Sequence, residues 1–282
     1  MKEQRRWRRV LITSLVGLVV VYVMLRWFEH RQIYFPTREF VADAEALARP
    51  FENVQFKTSD GVELHGWFLP VATNSPRRHL AVLICHGNGG NISHRLDLCR
   101  LLLEGGVAVF VFDYRGYGHS RGTPGEEGTY LDAQAAHRWL SDKGFRGEHI
   151  VAFGESLGGG VAAELALRET LGGLVLQSSF TSIPDVGAEL FPWLPVRWIS
   201  TVKYDTQSKL PRMHIPVMVM HSRADTLIGF HHGEANFATA NEPKLFWELQ
   251  GDHNDSLSSD QGFADGIERF LQMVDTTFNG CR

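Results

Sequence analysis

HIVAFGESLGGGVAAELALRE, residues 149–169, is the stretch on which the reading of this chain turns. HIVAF is a short apolar run with the β-branched and aromatic content of a strand covered on both faces. GGGVAAELALRE starts with small residues and continues with good helix formers. Between them, Gly154-Glu155-Ser156-Leu157-Gly158 fits Gly-x-Ser-x-Gly. In a chain with 28 glycines that pattern carries little by itself. Its weight comes from the flanks, which predict a strand, a sharp turn and a helix. At such an elbow the serine hydroxyl stands above the sheet edge, beside the unpaired N–H groups and positive dipole end of the helix.

Outward from the elbow the same alternation repeats. Apolar runs at 51–58, 62–70, 80–86, 107–113, 173–179, 216–222 and 244–250 join 149–154 as eight expected strands. Helical stretches are expected near 92–104, 126–143, 157–170, 230–240 and 259–275. Asp60-Gly61 between the first two strands suits a tight turn, so those two form an antiparallel hairpin at one edge. The pattern predicts an α/β fold with a mostly parallel eight-stranded sheet and helices on both faces, spanning 51–275, with a tail at 276–282. Residues 183–210 break the rhythm with Pro184, Pro192 and Pro195 among Phe191, Trp193, Leu194 and Trp198. This segment is expected to be a small cap offering apolar surface over the site or to a membrane.

A serine hydroxyl needs a base to take its proton, and the base needs an acid to hold its tautomer. For an elbow serine, both follow in chain order, acid before base. His214, His221, His231, His232 and His253 qualify by position. Only His253, in the loop GDHND after the last expected strand, lies where a loop returns over Ser156. Asp225, in the loop after the preceding strand, is the expected acid; Asp252 and Asp255 flank the histidine too closely, and Asp185 belongs to the cap. The oxyanion donors are expected to be the backbone N–H groups of Leu157 and of Asn88, the latter in the glycine-rich loop HGNGGN at 86–91. That loop lacks the lysine of a phosphate-binding loop. In DYRGYGHS, 113–120, Asp113 is expected to tie down its loop through backbone groups and Arg115.

Before the body, VLITSLVGLVVVYVML at 10–25 carries no charge, and continued to Phe28 it forms about 28 Å of helix, enough to span a bilayer. Trp7, Trp27 and Phe28 sit where interfacial aromatics belong, and Arg26 is placed to snorkel. A cleaved signal peptide would show the same order, but RWFEHRQIYFP at 26–36 has bulky and charged residues where a peptidase needs small ones. Residues 10–28 are therefore expected to be an uncleaved anchor, 1–9 a basic cytoplasmic tail and 29–50 a linker. Lys2, Arg5, Arg6, Arg8 and Arg9 outnumber Arg26, Arg31 and Arg38, which puts the body on the periplasmic, luminal or extracellular side. Net charge is −4 and no other basic cluster exists, so no nucleic-acid face is expected. Cys85, Cys99 and Cys281 show no metal-ligand spacing.

HGNGGN, FDYRGYGHSRGTP, GESLGG, SFTSIPDV, HSRADTLI and GDHND together resemble, in this order, the membrane-anchored α/β-hydrolase domain proteins. The likeness is greatest to the group related to fungal bud-emergence proteins, and extends to depalmitoylases and serine-aminopeptidase-like hydrolases. It implies the α/β-hydrolase fold, Ser156, Asp225 and His253 as a triad, no metal or organic cofactor, and cleavage of esters or thioesters. An acyl ester or thioester, including a lipid or lipidated protein, is the expected substrate. Aminopeptidase chemistry, or a membrane-tethered binding protein without turnover, remain alternatives.

Overall fold

The computed structural model describes residues 2–255 and 261–279. The elements are α1 (Lys2–Ile33), β1 (Phe35–Pro36), β2 (Glu52–Lys57), β3 (Glu63–Leu69), β4 (Ala81–Cys85), β5 (Gly89–Gly90), α2 (Leu96–Glu104), β6 (Ala108–Asp113) and α3 (Glu126–Asp142). There follow β7 (Ile150–Glu155), α4 (Leu157–Arg168), β8 (Gly173–Gln177), α5 (Ile183–Leu190), α6 (Val196–Ile199), β9 (Val217–Ser222), α7 (Phe230–Thr239), β10 (Lys244–Leu249) and α8 (Gln261–Asn279). Eight strands form one sheet in the order β10-β9-β8-β7-β4-β6-β3-β2. Every neighbour pair is parallel except those of β3, which runs antiparallel to β2 and β6. The eight expected strands and the edge hairpin are all present.

Strict alternation of polar and apolar residues is absent because both faces of the sheet are covered. Leu83, Phe110, Ala152, Leu174 and Val219 join one core with α3 and α4. Their neighbours Val82, Val109, Val151, Val175 and Met218 join the other with α2 and α8. Arg77 staples α8 to the body through a two-pronged pair with Glu268 and a bond to Asp275. Cys85 and Cys99 are buried free thiols in these cores; Cys281 lies outside the described residues.

Helix α4 lies unusually close to the sheet. A Cβ on Gly158 would sit 1.9 Å from the Cys85 carbonyl oxygen, and one on Gly154 would sit 2.5 Å from the Gly158 carbonyl oxygen. The glycines of the motif are therefore demanded by packing as well as by the turn.

Two expectations about the ends are corrected. Residues 29–50 are not a free linker: Tyr34, Ala44 and Leu47 are buried in the cores, and β1 pairs in parallel with β5. Their charge and alanine content conceals contacts made far away in sequence. Arg26, at the end of the apolar run, bonds Glu29, the Ile199 carbonyl and Thr201. Residues 276–279 are the last turn of α8 rather than a tail, and 280–282 lie outside the described residues. Helix α1 itself extends beyond 10–28 at both ends, and residues 10–24 are exposed throughout, Leu11, Leu15 and Leu18 among them.

Gly158→Ala should destabilise the body by about 3 kcal/mol or more, since the added methyl meets backbone that cannot rotate away. A chemical-denaturation midpoint compared with wild type measures this; an unchanged midpoint would contradict the close approach.

Candidate active site

Ser156 sits between β7 and α4 at φ +51°, ψ −113°, one of four non-glycine residues among those described with positive φ. A residue held there costs roughly 1–3 kcal/mol and persists only when its surroundings over-determine it. Its N–H donates to the Gln177 carbonyl at 2.8 Å, and its carbonyl accepts from Ser179 Oγ at 3.0 Å and the Gly159 N–H at 2.9 Å. The neighbouring strand thus clamps the turn from both ends of the serine.

The structure brings together Ser156, His253 and Asp225. His253 Nδ1 lies 2.7 Å from Asp225 Oδ2, and its Nε2 lies 3.1 Å from Ser156 Oγ. An ionised carboxylate can only accept, so the Nδ1 carries the proton and Nε2 is left to accept from the serine hydroxyl. Asp225 Oδ1 accepts from the Leu227 and Ile228 N–H groups at 3.0 and 2.7 Å. Burial pushes the Asp225 carboxyl up, but hydrogen bonding to His221, His253 and the Ile228 N–H outweighs it and holds the group well below the usual carboxylate range. It stays ionised at neutral pH.

The other candidates are accounted for. Asp252 spends its carboxylate on the His253 N–H and on Thr226, so it shapes the loop and does not meet the imidazole. His221 donates from Nε2 to the Ile228 carbonyl at 2.8 Å, behind Asp225. His231 reaches Glu189, and His232 Nδ1 accepts from the Thr181 N–H at 3.2 Å. Glu189, His231 and His232 form the one group of three potential metal ligands among the described residues. The bond from Thr181 leaves the proton of His232 on the Nε2 that faces Glu189, the wrong tautomer for a ligand through that atom.

Asn88 and Leu157 flank the serine, and among the described residues neither N–H has a protein acceptor. The peptide joining Gly87 to Asn88 is oriented by His86, whose Nδ1 donates to the Gly87 carbonyl at 2.7 Å. Since C=O and N–H of a trans peptide point in opposite directions, that bond aims the Asn88 N–H. Burial lowers the His86 pKa to about 3, which keeps the imidazole neutral. On the other side of Asn88, its carbonyl accepts from the Phe35 N–H at 3.1 Å and Tyr117 Oη at 2.9 Å, while its amide donates to the Ile33 carbonyl at 3.0 Å. The exit of α1 is thus a strap on the glycine-rich loop. This contact was invisible in the sequence, where nothing links 33–37 to 86–91.

Tyr114 and Tyr117 are buried and support this loop from beneath, Tyr114 through the His86 carbonyl. Arg115 pairs with Asp132 and Asp60, not with Asp113 as the local spacing suggested. Asp113 instead accepts from the Ile92 N–H at 2.9 Å.

A cavity of about 460 Å3 opens over Ser156 and His253. Its walls include Thr37, residues 87–90, His94, Arg95, Glu155, Gln177 and Asn254, with Leu98 as the one aliphatic side chain among the described residues. Arg95 makes a two-pronged pair with Glu155, at 2.8 and 3.1 Å, within this wall. None of the residues 183–210 is among its lining. The cap packs instead on the end of α1, where Phe28 meets Phe191 edge-on.

Comparison with known proteins agrees with this architecture. Residues 81–223 match the alpha/beta hydrolase fold family. Over 272 residues the chain is 37% identical to the uncharacterized protein Rv2307c of Mycobacterium tuberculosis, covering 95% of this chain and 96% of that one. It is 28% identical over 229 residues to protein bem46 of Schizosaccharomyces pombe, covering 77% and 76%. The Pyrococcus furiosus esterase Pf2001 superposes with a TM-score of 0.70 at 22% identity, over 85% of this chain and 98% of that one, which is a likeness of fold. By the matched family, which spans half of its length, this chain belongs to the α/β-hydrolase family.

Proposed function

We propose that this chain is a membrane-anchored serine hydrolase that cleaves a carboxylic ester, or the related thioester, through an acyl-enzyme. The observation that carries the reading is the pair of short contacts His253 makes, to Asp225 on one nitrogen and to Ser156 on the other. His253 takes the hydroxyl proton as Ser156 Oγ attacks the acyl carbonyl, and the oxyanion is held by the N–H groups of Asn88 and Leu157. The protonated imidazole then gives its proton to the leaving alcohol or thiol. Water, deprotonated by the same histidine, attacks the acyl-enzyme and frees the acid and Ser156. Asp225 holds the imidazole and offsets the charge it acquires.

The polar wall of the cavity favours a short or polar acyl group. Among the described residues, a long alkyl chain would meet Arg95, Glu155, Asn254 and exposed peptide groups, with Leu98 as the aliphatic contact. Helix α1, long and apolar enough to cross a membrane, serves as the anchor, with its basic N-terminal end in the cytoplasm.

Treatment of the detergent-solubilised chain with a fluorophosphonate should add the probe at Ser156, read by mass spectrometry of the digest. Ser156→Ala should take no probe, and His253→Ala should slow labelling severely. Asp225→Asn should lower turnover by roughly 10^4-fold, the scale for a misplaced imidazole tautomer. A folded wild type that resists the probe would sink the scheme.

Among p-nitrophenyl esters from acetate to dodecanoate, kcat/KM should peak at the short end and fall with length; a maximum at dodecanoate would refute the reading of the wall. Matched thioesters and aminoacyl amides in the same assay separate thioesterase and aminopeptidase chemistry from esterase.

Phe35→Pro removes a donor to the Asn88 carbonyl, and Tyr117→Phe removes the other. Losing an oxyanion donor outright costs about 10^2–10^3 in kcat, so loosening one should cost about tenfold in kcat with KM little changed. Unaltered kcat in both variants would detach the strap from the chemistry.

A further inference from the structure

The cap docks on α1 where the apolar run of that helix stops. Leu25 is the last residue of the run, and the next turn carries the contacts. Arg26 bonds Glu29, the Ile199 carbonyl and Thr201. Glu29 in turn accepts from Ser200 Oγ at 2.6 Å and the Thr201 N–H at 2.9 Å. At 1.5 Å per residue, Arg26 and Glu29 lie within about 6 Å of the end of the apolar run. That is the depth of the polar layer flanking a hydrocarbon core about 30 Å thick in a bilayer about 40–45 Å thick. The end of α6 is therefore pinned at headgroup level.

What the cap shows to the outside is apolar. Trp198, one residue before Ile199, is 91% exposed; Trp193 is 75% exposed and Leu190 54%. Trp193 stands 6.3 Å from the ring of Phe191, which itself packs on Phe28 at 6.0 Å. These side chains leave the active-site cavity untouched, so substrate binding does not account for them. Indole rings, apolar in body with one N–H donor, are most at home at the level of lipid headgroups.

We propose that the face formed by Leu190, Trp193 and Trp198 rests in the headgroup layer of the same bilayer that α1 spans, as a second membrane contact of the chain. The proposal rests on the reading of α1 as an anchor. A single helix lets the body swivel and tilt; a second contact beside the exit point sets one orientation of the catalytic body over the lipid.

The test uses the full-length chain in phosphatidylethanolamine and phosphatidylglycerol vesicles. Trp193→Cys, Trp198→Cys and Asp142→Cys are each made in a Cys281→Ser background, where the buried Cys85 and Cys99 escape labelling, and each is tagged with an environment-sensitive nitrobenzoxadiazole dye. Asp142, exposed at the opposite edge of the sheet from Ser156, is the reference. Melting curves establish that each variant is folded. The dye at 193 and at 198 should emit further to the blue than at 142 and lose emission to nitroxide-headgroup lipids, while position 142 does not. Water-like, unquenched dyes at 193 and 198 in chains that survive an alkaline carbonate wash would overturn the cap contact alone. Release of the chain by that wash would overturn the anchor and the cap contact together.

Discussion

Everything at this site depends on one tight turn. Ser156 is held at a backbone conformation that a side chain ordinarily avoids, and it is held by the sheet: the next strand supplies Gln177 as acceptor and Ser179 as donor on its two sides. The turn also needs α4 to begin almost on top of β4, which only a residue without a side chain at 158 permits. Strain of roughly 1–3 kcal/mol is small beside the burial energy of a sheet covered on both faces, so the fold absorbs it. In return the hydroxyl is fixed at the helix N-terminus, where N–H groups have no intrahelical partners.

A second set of constraints acts on the opposite wall. The Asn88 N–H is aimed from one side by His86 and its peptide is pinned on the other by Tyr117 and the strap at 33–37. These groups come from three distant parts of the chain. The strap is the direct continuation of α1, so the helix that reads as a membrane anchor is bonded into the loop that borders the nucleophile. A displacement of the exit of α1 has a mechanical route to Asn88 through two hydrogen bonds, with no flexible linker between to absorb it.

The strands, the elbow and the meeting of Ser156, His253 and Asp225 were legible because each rests on local signals: apolar runs of strand length, glycines flanking a serine, and histidine and aspartate in loops at strand ends. The rest was not, for physical reasons. The stretch 29–50 reads as a charged linker because its stabilising partners, Asn88, Gly90 and Asn91, are about 50 residues away. Arg115 was matched with Asp113 on proximity, yet Asp113 ends β6 and Arg115 lies in the turn beyond it, where Asp132 on α3 and Asp60 are its neighbours across the fold. The cap was recognised by its prolines and aromatics, but composition does not say which neighbour an apolar face meets. It meets α1, and the cavity is walled by polar groups.

That separation of surfaces bears on what reaches the serine. The Ile33 carbonyl, which accepts from Asn88, lies eight residues beyond Leu25, about 12 Å along the helix. With α1 embedded to Leu25, the glycine-rich loop at 86–91 would stand above the headgroup layer, not within the hydrocarbon. An acyl chain buried in the membrane would have to leave it to meet Ser156, losing about 0.8 kcal/mol for each methylene withdrawn, and the polar wall returns little of that. A polar or short acyl ester meets no such cost. On the proposed reading, the tether fixes where the chain works, while the chemistry of the cavity selects what it accepts.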